Sequence, residues 1–126
     1  MRILAIDYGR AKVGVALATS SIAQPYEVIK YGSLRDLLRK LDSIIEKEKI
    51  EELVVGISEG AMGEEARKFG KKLKTKFELP VHFQDETLTT VDAQRLALES
   101  GMKKEKRKKL EDAFSAALIL QSFLDS

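Results

Sequence analysis

Cysteine is absent from this 126-residue chain, and histidine occurs once, at His82. The first absence excludes disulfides, thiolate catalysis and Cys-ligated zinc, and the second excludes metal centres built on several imidazoles. Any metal must therefore sit on carboxylate oxygen. Asparagine is missing too, while Lys and Glu abound, which fits a chain selected against thermolabile residues. No apolar run approaches the ~20 residues that a membrane span needs. The opening MRILAIDYGR lacks the apolar stretch and small-residue cleavage site of a secretory signal, so the expected compartment is the cytoplasm. A dominant charge of one sign is also lacking. Twenty-two basic residues against twenty acidic ones leave +2, which alone says nothing about nucleic acid.

What is present describes a globule. Hydrophobic residues at 44% and charged residues at 33% are too apolar for disorder. The length predicts one domain over residues 1–126 with a core that needs no staples. Residues 2 to 6 and 13 to 18 are strand-like and too close for a parallel crossover, so they predict an antiparallel hairpin. Residues 27 to 31 predict a third strand. Leu34, Leu37, Leu38, Leu41, Ile44 and Ile45 then repeat at helical spacing, with Ser33 as N-cap and Asp36 in the capping-box position. Residues 53 to 57 (LVVGI) read as a fully buried strand. Gly60 and Gly63 break the chain before a helix carrying Ala66, Phe69, Leu73 and Phe77. PVHF, 80 to 83, is a fifth strand, and Thr89 or Thr90 caps a further helix that stops at Ser100-Gly101. A last helix runs from about residue 108 to 124. The order β-β-β-α-β-α-β-α-α predicts an α/β fold: one five-stranded mixed sheet with helices on both faces. Sites in such sheets form beyond the carboxyl ends of the parallel strands.

Those ends carry acids. Asp7 closes the first apolar run and needs a compensating partner, either a divalent cation or a turn that it caps with Gly9. Asp112 opens the last helix, where the helix dipole by itself favours an acid. Its neighbours Ala113, Ser115, Ala116 and Ala117 are small enough for a helix to approach a sheet closely. Asp85 and Glu86 follow the edge strand, with Glu86 the inward choice and Asp85 in support; Glu59, beyond the fourth strand, competes for the same role. Three converging carboxylates repel one another unless neutralised, and Mg²⁺ or Mn²⁺ on oxygen ligands does this. Such a site suits phosphodiester hydrolysis. The chain's dense basic block, Lys103, Lys104, Lys106, Arg107, Lys108 and Lys109 around Glu105, is either a solvated loop or a set of phosphate contacts.

The pieces IDYGRAKVGVA (6 to 16), AQP (23 to 25), VVGI with EGAMG (54 to 63), PV with DETLTT (80 to 90) and EDAFSAALIL (111 to 120) occur in order across nearly the whole chain. In them the sequence resembles the YqgF family of Holliday junction resolvases or pre-ribosomal-RNA nucleases, within the ribonuclease H-like superfamily. The resemblance implies that fold, a bacterial cytoplasmic protein and a metal-dependent nuclease acting on pre-16S rRNA or branched DNA. It carries over Asp7, Glu86 and Asp112 as the acidic triad, favouring Glu86 above Glu59. Lys12 takes the place of a basic residue near the first acid, either touching the scissile phosphate or standing at a hairpin tip. The chain departs from the family pattern at Ala18-Thr19, where Ser-Asp is usual, at Ser58, where Pro is usual, and at Thr87. Thr87 replaces an Arg that would hold phosphate bidentately. The sequence leaves monomer and homodimer open, although resolving a four-way junction takes two copies.

Two other classes share the signal. Actin-like and sugar-kinase ATPases also open on a strand, D-x-G and a hairpin, but they close two lobes on ATP and this length supplies one. A non-catalytic nucleic-acid or ribosome-assembly module would keep the fold and the acids for stability.

Overall fold

The computed structural model describes residues 1–57, 60–85, 103, 105 and 109–126. Its strands are β1 (Ile3–Asp7), β2 (Lys12–Ala18), β3 (Ala23–Lys30), β4 (Glu52–Ile57) and β5 (Val81–Asp85). The helices among the described residues are α1 (Leu34–Glu48), α2 (Ala61–Phe77) and α3 (Glu111–Leu124). One sheet of order β3-β2-β1-β4-β5 holds all five strands. β1 pairs antiparallel with β2 and parallel with β4, and β4 pairs parallel with β5, as the connection lengths predict.

Several boundaries differ from the sequence reading. β3 begins four residues earlier than predicted and includes Pro25, which an edge strand tolerates because one side of its ladder is unpaired. Gly63 does not break the chain: α2 starts at Ala61, Gly60 is its N-cap at φ 81°, and Gly63 lies in its first turn. β5 extends through Asp85, so Asp85 belongs to the strand. The helix predicted from Thr89 or Thr90 to Ser100 lies outside the described residues.

α1 shows how local chemistry sets an end. The Ser33 side chain accepts from the Asp36 backbone N–H at 3.1 Å, which satisfies one orphan donor of the first turn. Asp36 does not close the second half of a capping box; its carboxylate turns to Arg39 at 2.7 Å and Lys40 at 3.2 Å. Ser33→Ala should therefore lower stability by about 1 kcal/mol. A thermal melt followed by circular dichroism should show a midpoint a few degrees lower, with Ser33→Asp restoring it.

Alternation along the strands splits the core into two layers. Leu4, Ile6, Val13, Val15, Leu53 and Val55 meet Leu37, Leu41, Phe69 and Leu73 from α1 and α2. On the other face Ile3, Ala5, Ala16, Ala18 and Val54 meet Ala116, Ala117, Ile119 and Leu120 of α3. Each buried Leu or Ile contributes about 1.5–3 kcal/mol relative to exposure. The α3 face is lined with small residues, and Gly14 and Gly56 take that to its limit. A Cβ on Gly14 would overlap the backbone carbonyl of Asp112, and one on Gly56 would lie 2.5 Å from Ile119 Cδ1. At the far end, Gln121 accepts from Ala23 N–H at 2.9 Å and donates to the Ser21 carbonyl at 3.0 Å, clamping the β2–β3 turn.

Candidate active site

The register places the first acid. Asp7 is directly opposite Gly14 in the antiparallel pair, so both point to the face that α3 covers. Because Gly14 lacks a side chain, the start of α3 settles onto the sheet there, with the Asp112 backbone against Gly14. Two carboxylates from opposite ends of the chain are thereby brought to one cavity of about 250 Å³, lined by Asp7, Tyr8, Gly9, Arg10, Ala11, Lys12 and Asp112.

The loop between β1 and β2 forms one wall, and four contacts hold it. Gly9 is required by the tightness of the turn, since a Cβ there would lie 2.5 Å from the Lys12 carbonyl oxygen. Tyr8 stacks on Phe69 of α2 with centroids 4.6 Å apart. Arg10 makes a fork of two hydrogen bonds to Glu65 of α2, at 3.0 and 3.1 Å. Tyr31 donates its hydroxyl to the Gly9 carbonyl, and its backbone N–H donates to the Ala11 carbonyl at 3.1 Å. The Glu65 hydrogen bonds raise the Arg10 pKa further, and Arg10 in turn holds Glu65 below the usual carboxylate range. Burial, with hydrogen bonding to Tyr8 second, pushes the Tyr31 hydroxyl from 10.0 up to about 12.

That shift has a sign. Folding favours neutral Tyr31, so its contribution is complete below the unfolded pKa of 10.0 and disappears as pH rises through about 12. Tyr31→Phe should cost about 1 kcal/mol at neutral pH for the lost hydrogen bond. In urea titrations the gap between the two proteins should narrow between pH 10 and 12; a gap that stays constant over that range would contradict the assignment.

Lys12 opens β2 and lies 3.0 Å from Asp112 Oδ2. The hydrogen bond to Asp112, and then the charge of the same carboxylate, raise the Lys12 pKa. The pair is largely in solvent, with Lys12 at 56% exposure, so water and salt screen it and it can open readily.

Of the acids and cations singled out from the sequence, Asp7, Lys12 and Asp112 converge here. Glu86, its competitor Glu59, Thr87 and Ser58 lie outside the described residues, as do Lys104, Lys106, Arg107 and Lys108. Lys103 is exposed and lines neither this cavity nor the larger groove between β3 and α1, whereas Lys109 lines that groove. Among the described residues no three His, Cys, Asp or Glu side chains form a group that could hold a metal. The His82 side chain in β5 is partly exposed, but its Nε2 is buried without a hydrogen bond, 3.5 Å from Glu52 Oε1, and its ring lies beside Phe123. Arg10 was missed, although it stands inside the IDYGRAK motif, because no spacing rule tells which residue of a loop turns toward a cleft.

A five-stranded mixed sheet of order β3-β2-β1-β4-β5 with helices on both faces is the ribonuclease H-like fold. Solved structures share it. The Fowlpox virus resolvase bound to Holliday junction DNA superposes with a TM-score of 0.65 at 15% identity, covering 99% of this chain and 97% of that one. Thermus thermophilus RuvC with a Holliday junction substrate gives 0.62 at 18%, covering 94% and 91%. At those identities the likeness speaks for the fold alone. The chain belongs to the RuvX family, described as Holliday junction resolvase, which it matches over residues 1–126. It is 40% identical over 135 aligned positions to a "Putative pre-16S rRNA nuclease" of Caldanaerobacter subterraneus subsp. tengcongensis, covering 100% of this chain and 97% of the relative. A protein of the same name from Lactococcus lactis subsp. lactis is 38% identical, covering 99% and 94%.

Proposed function

We propose that the protein is a metal-dependent nuclease that hydrolyses phosphodiester bonds, as a single domain of residues 1–126 working in the cytoplasm. Asp7 and Asp112 lining one cavity is the observation that carries this reading, and family membership supports it. The donor set fits Mg²⁺ or Mn²⁺: hard carboxylate oxygens, in a chain without cysteine and with its one histidine on β5. Asp7, Asp112 and Glu86 would hold the ion. Bound there, it would lower the pKa of water and neutralise charge on the leaving 3′ oxygen.

The chain's own groups do the rest. The tied β1–β2 loop fixes Asp7 and Lys12 before a strand arrives, so little ordering is left to the moment of reaction. Lys12 moves its ammonium from Asp112 Oδ2 to a non-bridging phosphate oxygen as a strand enters, offsetting negative charge there. Water adds in line to phosphorus as the bond to the 3′ oxygen breaks, and the proton that water gives up ends on that oxygen, leaving a 5′ phosphate and a 3′ hydroxyl. The substrate is a precursor of 16S rRNA, as the names of full-length relatives indicate, or a four-way DNA junction, as the family description indicates.

The deciding experiment presents matched single-stranded RNA, duplex and junction DNA to the protein while Mg²⁺ or Mn²⁺ is titrated. Cleavage that rises with metal and stops with EDTA is expected. No cleavage of any substrate, with the protein folded and nucleic acid bound, would leave the non-catalytic binding module as the correct reading.

A further inference from the structure

A second and larger concavity lies beside the acidic cleft, between edge strand β3 and helix α1, with a volume of about 1120 Å³. That exceeds the roughly 300–1,000 Å³ of small-molecule sites. Among the described residues six cations line it, Lys12, Lys30, Arg39, Lys40, Lys47 and Lys109, against two acids, Glu27 and Glu105, while Asp36 pairs with Arg39 and Lys40. Val28, Ile29 and Ile44 form part of the lining between the charges. Two of the six tie it to the acidic cleft. Lys12 lines both concavities, and Lys109 lies three residues before Asp112 in the chain. The others lie within residues 30–47, at the end of β3 and along α1, and border one concavity because α1 returns over the β3 edge, where Lys40 Nζ donates to the Lys30 carbonyl at 3.0 Å.

Lysines on an edge strand also deter strand addition, Arg39 pairs with Asp36 at 2.7 Å, and Lys47 stands in the last turn of α1, where the helix dipole favours a cation; none of these roles requires the three to border one concavity with Lys12. We infer that this groove is the track for the phosphate backbone of the substrate strand, leading it past Lys12 to the acidic cleft. The inference rests on the nuclease reading in that the strand it carries is the one cut. Phosphates at successive positions would replace one another along Lys47, Arg39, Lys30 and Lys12, neutralising charge without reading bases.

The test is anisotropy of a fluorescein-labelled single-stranded RNA in EDTA, so that binding is read without cleavage. The triple variant Lys30→Gln, Arg39→Gln, Lys47→Gln keeps Lys40 and its tie to β3. Three lost phosphate contacts should flatten the log–log salt slope by about 2 and weaken binding roughly tenfold. A charge-matched variant on exposed positions of α2, Lys71→Gln, Lys72→Gln, Lys76→Gln, should keep the parent's slope. Equal losses in both would reduce the effect to net charge and overturn the assignment, as would parental binding by the groove variant. Competition by poly-glutamate as strong as by RNA of equal charge would make the groove a docking face for an acidic protein and also overturn it. Circular dichroism melts check that both variants fold. A parent that binds RNA through the groove but cuts nothing would sink the nuclease reading alone, while a cutting parent with an indifferent groove would sink the track alone.

Discussion

Asp7→Asn should reduce metal-dependent cleavage by about 10³-fold or more, because the substitution removes one anionic oxygen from a site whose electrostatic contribution is several kcal/mol. The change is nearly isosteric and sits at a strand end, so the melting midpoint should move by no more than a few degrees. Asp7 shares its cavity with Asp112, and removing one of two like charges relieves repulsion in the metal-free protein. The comparison needs purified parent and variant under the same Mg²⁺ or Mn²⁺ concentrations. A variant that cuts as fast as the parent would show that the chemistry occurs elsewhere, whatever the fold.

The largest effect on stability should come from a residue with no functional group. Gly14→Ala adds one methyl where the Asp112 carbonyl already lies, and the nearest atoms it meets are all backbone. Relief requires moving either β2 or the start of α3, and overpacking of this kind costs about 1–3 kcal/mol. At this size that lowers the melting midpoint by roughly 5–15 °C. The same displacement carries Asp112 away from Asp7, so cleavage should fall even at temperatures where the variant is fully folded. Gly56→Ala tests the mechanism, since its methyl comes nearest the Cδ1 end of the Ile119 side chain, at 2.5 Å, which gives way more easily than backbone. Its cost should be smaller, with activity retained. Gly32→Ala meets nothing within 4 Å and should be close to neutral. Equal destabilisation by all three would argue for loss of glycine flexibility in general and against a specific contact.

Much of the architecture was readable because it is locally encoded. Period-3.6 leucines and the Ser33 cap define α1, and the few residues between residues 6 and 13 leave an antiparallel hairpin as the only connection that fits. The misplaced boundaries fall where local signals conflict with tertiary context. Pro25 argues against a strand until β3 proves to be an edge, and Gly63 reads as a breaker until packing holds it in α2. The site was readable in part. Asp7 and Asp112 stood out because an acid in an apolar run is costly to bury. The small residues of EDAFSAALIL foretold a close helix-to-sheet approach, which the structure realises at Gly14 and Gly56.

From the sequence alone came the exclusion of thiol and multi-histidine chemistry, the order of the elements and two acids carried by apolar segments, because composition and periodicity are properties of the chain itself. Only the tertiary structure decided that the Asp112 backbone rests on Gly14 opposite Asp7, that Arg10 is held by Glu65, and that Lys12 and Lys109 border one groove with the cations of β3 and α1. Those facts depend on register and on how near two elements can pack, and distances between residues remote in sequence are set by excluded volume in the folded core rather than by any local pattern.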